Sequence, residues 1–350
     1  MSLSLPGPVY TGTRHEAESA WNILQNLNVD EDCTDATPAP IRTRRSTIAR
    51  PVTVQGPGTF FGKETRTIEF LPTEREGWWF DRADHDEWLR IQVAIHNVWT
   101  TGQVVSNIVL RSGPPHNYVR LVEHIIALRM GLDIDDLTIR IDSGDPPLFD
   151  VGSMPLVEAL ESAGRVESAF PLDYVTVKEP VVFAAPENKL LVFEPADPSD
   201  PKLELDCGID FPNAIGQQRI RLVVNRDTFR RGAHARTNTT ARKKFYCQTL
   251  GKLFADVRNL GYTDKNVLIA GDRKYHNTPG LVVNDKSLEA CWHRAILDLL
   301  AAIALIERGL FIGKVSSYKA GHAMDVEAVK LLYRNDLLER IPLPSETVST

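Results

Sequence analysis

Cysteine is scarce in this chain and scattered where it occurs. The four residues, Cys33, Cys207, Cys247 and Cys291, show no Cys-x-x-Cys spacing. That excludes a thiolate zinc module and a disulfide scaffold, and fits a reducing compartment. Long apolar runs are missing too. The stretch 297–306 is about half the length a bilayer span needs, and Glu307-Arg308 closes it. Basic charge is not in excess, since 40 Lys and Arg stand against 46 Asp and Glu for a net charge of −6. No basic field therefore advertises a nucleic acid polymer as partner. The start lacks a basic, apolar signal sequence, and its first forty residues carry six acids and the single arginine Arg14. Neither secretion nor organellar import is expected, which leaves the cytoplasm.

What is present is an ordinary globular composition, 43% hydrophobic and 25% charged, over 350 residues. That length suits two domains with ample core. Residues 1–44 read as an appendage. Within it 15–27 makes one short amphipathic helix with Ala20, Ile23, Leu24 and Leu27 on a face, followed by an acidic linker ending in Arg42, Arg44 and Arg45. Both disorder and docking onto the body are open for it. Strand-like alternation begins at 47–54 and 63–71 around a glycine-rich turn, and returns at 78–80 and 105–110. Helical spacing follows over 118–130, then a strand at 137–141 and a helix at 154–163. The second half repeats the theme. Strands are expected at 175–183, 190–195, 203–211, 220–225 and 267–270, and helices at 241–260 and from about 288 and 322. Strands followed by helices, twice over, predict an α+β fold of two similar two-layer sandwich domains, 45–168 and 169–341, with 342–350 a frayed tail.

The stretch 289–306 has no Gly or Pro and reads as a buried helix, yet it carries His293, Arg294 and Asp298. Imidazole and carboxylate one helical turn apart are a usual zinc-binding pair. Here the interval is five residues, which sets the two side chains about 140° apart on an ideal helix. Other polar residues have ordinary explanations when taken singly. Glu123-His124 passes for a surface dipeptide, Thr237 for a helix N-cap, Lys319 for a solvated lysine and His322 for the start of a helix.

Their order along the chain is more specific. Thr47-Ile-Ala-Arg-Pro-Val-Thr-Val-Gln-Gly-Pro-Gly, Ile68-Glu-Phe-Leu-Pro, Val122-Glu-His-Ile-Ile-Ala-Leu and Pro147-Leu-Phe-Asp-Val-Gly-Ser come in sequence. Ala235-Arg-Thr, His293-Arg near Leu297-Asp298, and Tyr318-Lys-Ala-Gly-His follow. In this order the chain, from about 46 to 335, resembles the UDP-3-O-acyl-N-acetylglucosamine deacetylases (LpxC-like), the zinc enzymes of lipid A synthesis.

The resemblance implies a Zn2+ ion held by His124, His293 and Asp298, with Glu123 as general base. It implies His322 as the second protonatable group and Thr237 as the hydrogen-bond donor to the tetrahedral oxygen. Lys319, and Arg294 in place of the family lysine, would face the substrate, a UDP-linked acylated amino sugar from which acetate is released. The acyl chain also brings the expectation of peripheral contact with membrane lipid.

Three departures accompany the likeness. The family pattern His-Lys-x-Leu-Asp is one residue longer here, an excess that a π-bulge would absorb. The acid expected to orient the catalytic histidine is Ala302, and Asp325 is the nearest replacement in sequence. Thr59-Phe60-Phe61 stands where the family has Leu-His-Ser, placing an aromatic Phe60 at an expected substrate contact. Two alternatives stay open beside the deacetylase: an enzyme for another N-acyl substrate, and a catalytically silent binding or regulatory protein that kept the fold.

Overall fold

Alternating apolar residues build two main sheets beside several smaller ones, and helices from both halves pack against one another. A computed structural model describes residues 4–60, 64–85, 89–102, 106–240 and 260–341. The smaller sheet has five strands in the order Val52–Pro57, Thr65–Leu71, Leu137–Ile141, Trp78–Arg82, Ile91–Gln92. The larger has seven, in the order Val9–Thr11, Val181–Ala185, Lys189–Glu194, Gly313–Tyr318, Leu203–Phe211, Gly216–Val223, Glu31–Cys33.

Numbered by their order in the chain, the smaller sheet runs 1-2-5-3-4, and so do the central five strands of the larger. Directions match as well, each set being antiparallel, antiparallel, parallel, antiparallel. In each half a helical segment leads into the last strand, which inserts at the centre of its sheet, and another helix follows that strand. The leading segments are Glu123–Ile126 with Leu128–Gly131, and Glu289–His293 continuing to Leu300–Ala304. The following helices are Met154–Ala163 and His322–Arg334.

The α+β class expected from the sequence is what the chain adopts, and the helices at 154–163 and 322–334 and the strands at 203–211 and 267–270 form where expected. Other elements differ. The segment 118–130 begins as the strand Tyr118–Arg120, because Leu121 has φ +56° and stops the chain from coiling until Val122. Gly313–Tyr318, the central strand of the larger sheet, and the helix Arg226–Gly232 have no counterpart in the sequence reading. The expected helix at 241–260 lies outside the described residues except for Leu260, and so does the expected tail.

Residues 4–33 dock rather than dangle. The two three-residue strands Val9–Thr11 and Glu31–Cys33 close opposite edges of the larger sheet. Between them the helix Arg14–Asn26 starts at a Thr13/Glu16 capping box and buries Ala17, Ala20, Trp21 and Leu24 against the sheet.

Residues 165–171, where a boundary is expected, form a strand paired with Arg44–Ile48. One continuous buried cluster nonetheless runs from Ile48 in the first half to Leu338 in the second. Its largest members, including Trp78, Phe70, Phe80, Phe193 and Trp292, each contribute about 1.5–3 kcal/mol by leaving water. The two halves meet closely. A Cβ on Gly131 would lie 2.0 Å from the Phe229 ring, so only glycine lets these elements touch. Among the described residues no helix is long and apolar enough to cross a membrane.

Candidate functional site

Each half supplies polar groups from the same two places: the helical segment before its central strand and the start of the helix after it. From the first half come Glu123 and His124, and then Ser153 at the N-cap of Met154–Ala163. From the second come His293 and Asp298, and then His322, which opens His322–Arg334. Gly152, at φ +62°, lets the Ser153 loop approach residues 233–235, where a Cβ would lie 2.4 Å from Ala233 O.

The five-residue interval is resolved by the backbone. Residues Arg294–Leu299 form a π-helical turn within the helix. Its hydrogen bonds run i→i+5, so residues five apart stand over one another instead of diverging. His293 Nδ1 consequently faces Asp298 Oδ1 at 3.4 Å, while His293 Nε2 lies 3.2 Å from His124 Nε2.

The Thr237 hydroxyl completes a triangle, 3.2 Å from His124 Nε2 and 3.1 Å from His293 Nε2. His322 Nε2 is 3.4 Å from Asp298 Oδ1 and 3.9 Å from Glu123 Oε1. Together these groups line a cavity of about 230 Å³, walled on one side by Thr59, Pro146 and Pro147.

Electrostatics follow from burial and proximity. Burial, reinforced by the neighbouring His293 ring, lowers the His124 pKa to about 3, so this imidazole is neutral. Its Nδ1 pairs with Ser153 Oγ at 3.0 Å, which aims Nε2 at the cavity. Burial works to raise the Asp298 carboxyl, but His293 and His322 outweigh it and hold the group ionised, below the usual carboxylate range. His293 is affected in the opposite sense: burial lowers it, and Asp298 prevails to raise it. Desolvation lifts Glu123, against the nearby His322. Its Oε2 accepts the Ile108 N–H at 3.1 Å, which fixes the side chain.

Do these residues fit a zinc ion? Two imidazole nitrogens on a tetrahedral ion at 2.0–2.1 Å stand about 3.3 Å apart, close to the spacing of the two Nε2 atoms. Asp298 Oδ1 is buried and makes no hydrogen bond among the described residues, although two imidazoles approach it. A bare carboxylate oxygen of this kind calls for a cation. The closed cage itself is not formed. Among the described residues no set of three or more His, Cys, Asp or Glu stands in a ligating arrangement, and Asp298 faces Nδ1 of His293 rather than the paired Nε2 atoms. In donor type, burial and orphaned oxygen, the set fits zinc.

Several expectations change. Glu123 is 4% exposed and is no surface dipeptide. Thr237 is no N-cap, since it opens the strand Thr237–Thr240 and faces the histidines. Phe60 is buried under the Arg120 guanidinium, 3.4 Å from the ring centroid, and does not line the cavity; Thr59 does. Lys319 takes φ +52° and donates its backbone N–H to Gly208 O, with its side chain outside the cavity lining.

Arg294 is committed elsewhere as well. Its two terminal nitrogens meet both oxygens of Asp325 at 2.6 Å, and Nη2 also reaches Ser317 Oγ at 3.1 Å. Asp325 is thus taken by Arg294 and does not orient His322, whose Nδ1 has no partner among the described residues. With Asp325 fully buried, Asp325→Ala leaves an unpaired guanidinium in the core. A loss of about 3–5 kcal/mol is expected, measured by urea unfolding. Ser153, quoted only as the end of a motif, is the functional residue that sequence reasoning passed over. Its place directly before a Pro-containing helix start is the signal that marks it as an N-cap.

The chain is similar to known proteins over most of its length. Residues 45–334 match the family model of UDP-3-O-acyl N-acetylglycosamine deacetylase. Proteins named UDP-3-O-acyl-N-acetylglucosamine deacetylase from Brucella ovis, Brucella canis and Brucella suis are each 28% identical to the chain over 295 residues, covering 83% of it and 96% of the relative. A match spanning both halves and every residue of the cavity identifies the chain as a member of the UDP-3-O-acyl N-acetylglycosamine deacetylase (LpxC) family.

Proposed function

We infer that this chain hydrolyses the N-acetyl amide of a UDP-linked 3-O-acyl-N-acetylglucosamine, releasing acetate in the lipid A route. The observation that carries the reading is the approach of His124 Nε2 and His293 Nε2 to 3.2 Å, the spacing of two ligands on one ion. The π-turn brings the bare Oδ1 of Asp298 to the same cavity. His124, His293 and Asp298 would hold zinc, which supplies Lewis acidity and lowers the pKa of water to about 7.

The protein's own groups do the rest. Glu123, beside the first ligand and fixed by the Ile108 N–H, takes the proton of the attacking water. Thr237 stands over both imidazoles, where its hydroxyl hydrogen-bonds the oxygen of the tetrahedral species. His322, within 4 Å of Glu123 and Asp298, hands a proton to the departing amine as the C–N bond breaks. The products are acetate and the free amino sugar.

The second reading, a silent homologue, draws on Ala302 and on the Nδ1 of His322, which has no partner among the described residues. One experiment separates the two. Purified protein is expected to carry about one zinc per chain, to release acetate from the acylated UDP-sugar, and to lose activity to a chelator and regain it with zinc. Metal-free protein that releases no acetate after zinc addition would establish the silent reading instead.

A further inference from the structure

The family match begins at residue 45, yet an ordered segment before it reaches the helix that carries two of the site's residues. Glu31, on the edge strand Glu31–Cys33, accepts the indole N–H of Trp292 at 2.8 Å through Oε2. Its Oε1 pairs with Arg231 at 2.6 Å, and the Arg231 guanidinium lies 5.5 Å from the centroid of the Trp292 ring. Gly232 closes a further side, where a Cβ would stand 2.9 Å from that ring. Trp292 is fully buried and directly precedes His293.

The segment carrying Glu31 is itself pinned. Asp30 receives Lys286 at 2.7 and 2.8 Å and the Arg219 N–H at 3.0 Å. Arg219, paired with Asp206 in the core, also donates to Leu24 O and Leu27 O at the end of the N-terminal helix.

We propose that residues 30 and 31 are positioning residues, a brace in which Glu31 holds Trp292 and so sets the register of His293 at the entrance to the π-turn. The reason is mechanical. A π-turn is a rare interruption of an α-helix, and its register is kept by contacts on its flanks. At its first residue the turn is held by Arg294 on Asp325. Ahead of it, Glu289 accepts from Arg236 and Gly280, and Trp292 is fixed by Glu31. Of these anchors, Glu31 is the one that comes from outside the family-matched region.

The inference rests on the zinc hydrolase reading above, and its test uses full-length Trp292→Phe, Glu31→Ala, Glu31→Gln and the double variant Glu31→Ala/Trp292→Phe. Trp292→Phe keeps most of the ring and removes the donor; Glu31→Gln keeps an acceptor oxygen. Three quantities are read: the rate at which zinc is lost to a chelator, kcat against KM, and the indole N–H resonance of Trp292.

Trp292→Phe and Glu31→Ala are each expected to shed zinc about tenfold faster and to lose kcat by a similar factor, with KM within about twofold. The double variant is expected to be no worse than either single, and Glu31→Gln to recover most of the loss. The indole resonance should shift in both Glu31 variants. Wild-type zinc retention and kcat in Trp292→Phe, a Glu31→Gln variant as impaired as Glu31→Ala, or losses that multiply in the double variant, would overturn the brace. If Glu31→Ala does not fold, Trp292→Phe and Glu31→Gln decide alone. A wild-type protein with neither zinc nor acetate release overturns the functional reading instead, while the indole shift still reports whether the Glu31–Trp292 link exists.

Discussion

Protein carrying His293→Ala or Asp298→Ala is expected to purify without zinc and to release acetate at the background rate. The effect should exceed that of substituting any site residue outside the proposed ligand set. Zinc lowers the pKa of water from 15.7 to about 7, a gain of roughly 10⁸ in nucleophile at neutral pH, whereas a positioned acid or base contributes about 10²–10⁴. Each variant removes one end of the contact that the π-turn creates between positions 293 and 298. The measurement is metal content by atomic spectroscopy beside turnover, with circular dichroism to show that the fold persists. A variant that keeps stoichiometric zinc and more than a tenth of the activity would remove that residue from the ligand set.

Glu123→Gln is the second large effect, and it separates chemistry from metal binding. Zinc content should stay at the wild-type level, because Glu123 is not among the proposed ligands. A fall in kcat of about 10²–10⁴-fold is expected, with little change in KM. The pH profile carries the sign. A general base works only when ionised, so activity declines as pH falls through its pKa. Burial raises the Glu123 pKa above the ordinary carboxylate value. The acid limb of the kcat/KM profile should therefore sit higher than an exposed glutamate would place it, and should disappear in the glutamine variant. An unchanged limb in that variant would assign it to another group.

Local signals account for what was legible in the sequence. Met154–Ala163 ends at Gly164, and Pro155 sits in its first turn, so both of its limits are visible. Leu203–Phe211 carries enough apolar residues to read as a strand without help. The site residues were visible only as a set, because Glu123, His124, Thr237 and His322 each have an ordinary explanation alone.

What escaped depends on distant partners. Gly313–Tyr318 is buried through Val315 but also through Ser316 and Ser317, polar residues that hide a central strand. The π-turn has no propensity signal of its own. From the sequence it shows only as a ligand pair one residue too far apart. The roles given to Arg294 and Phe60 changed because side-chain direction is settled by tertiary packing: Arg294 turns to Asp325, and Phe60 to Arg120.

The brevity of the two outermost strands in the larger sheet has a consequence for the chain in a crowded solution. Val9–Thr11 and Glu31–Cys33 are three residues each. A margin so short offers a neighbouring molecule little to hydrogen-bond with. The same segment that steadies the interior thus discourages one copy from stacking onto the next.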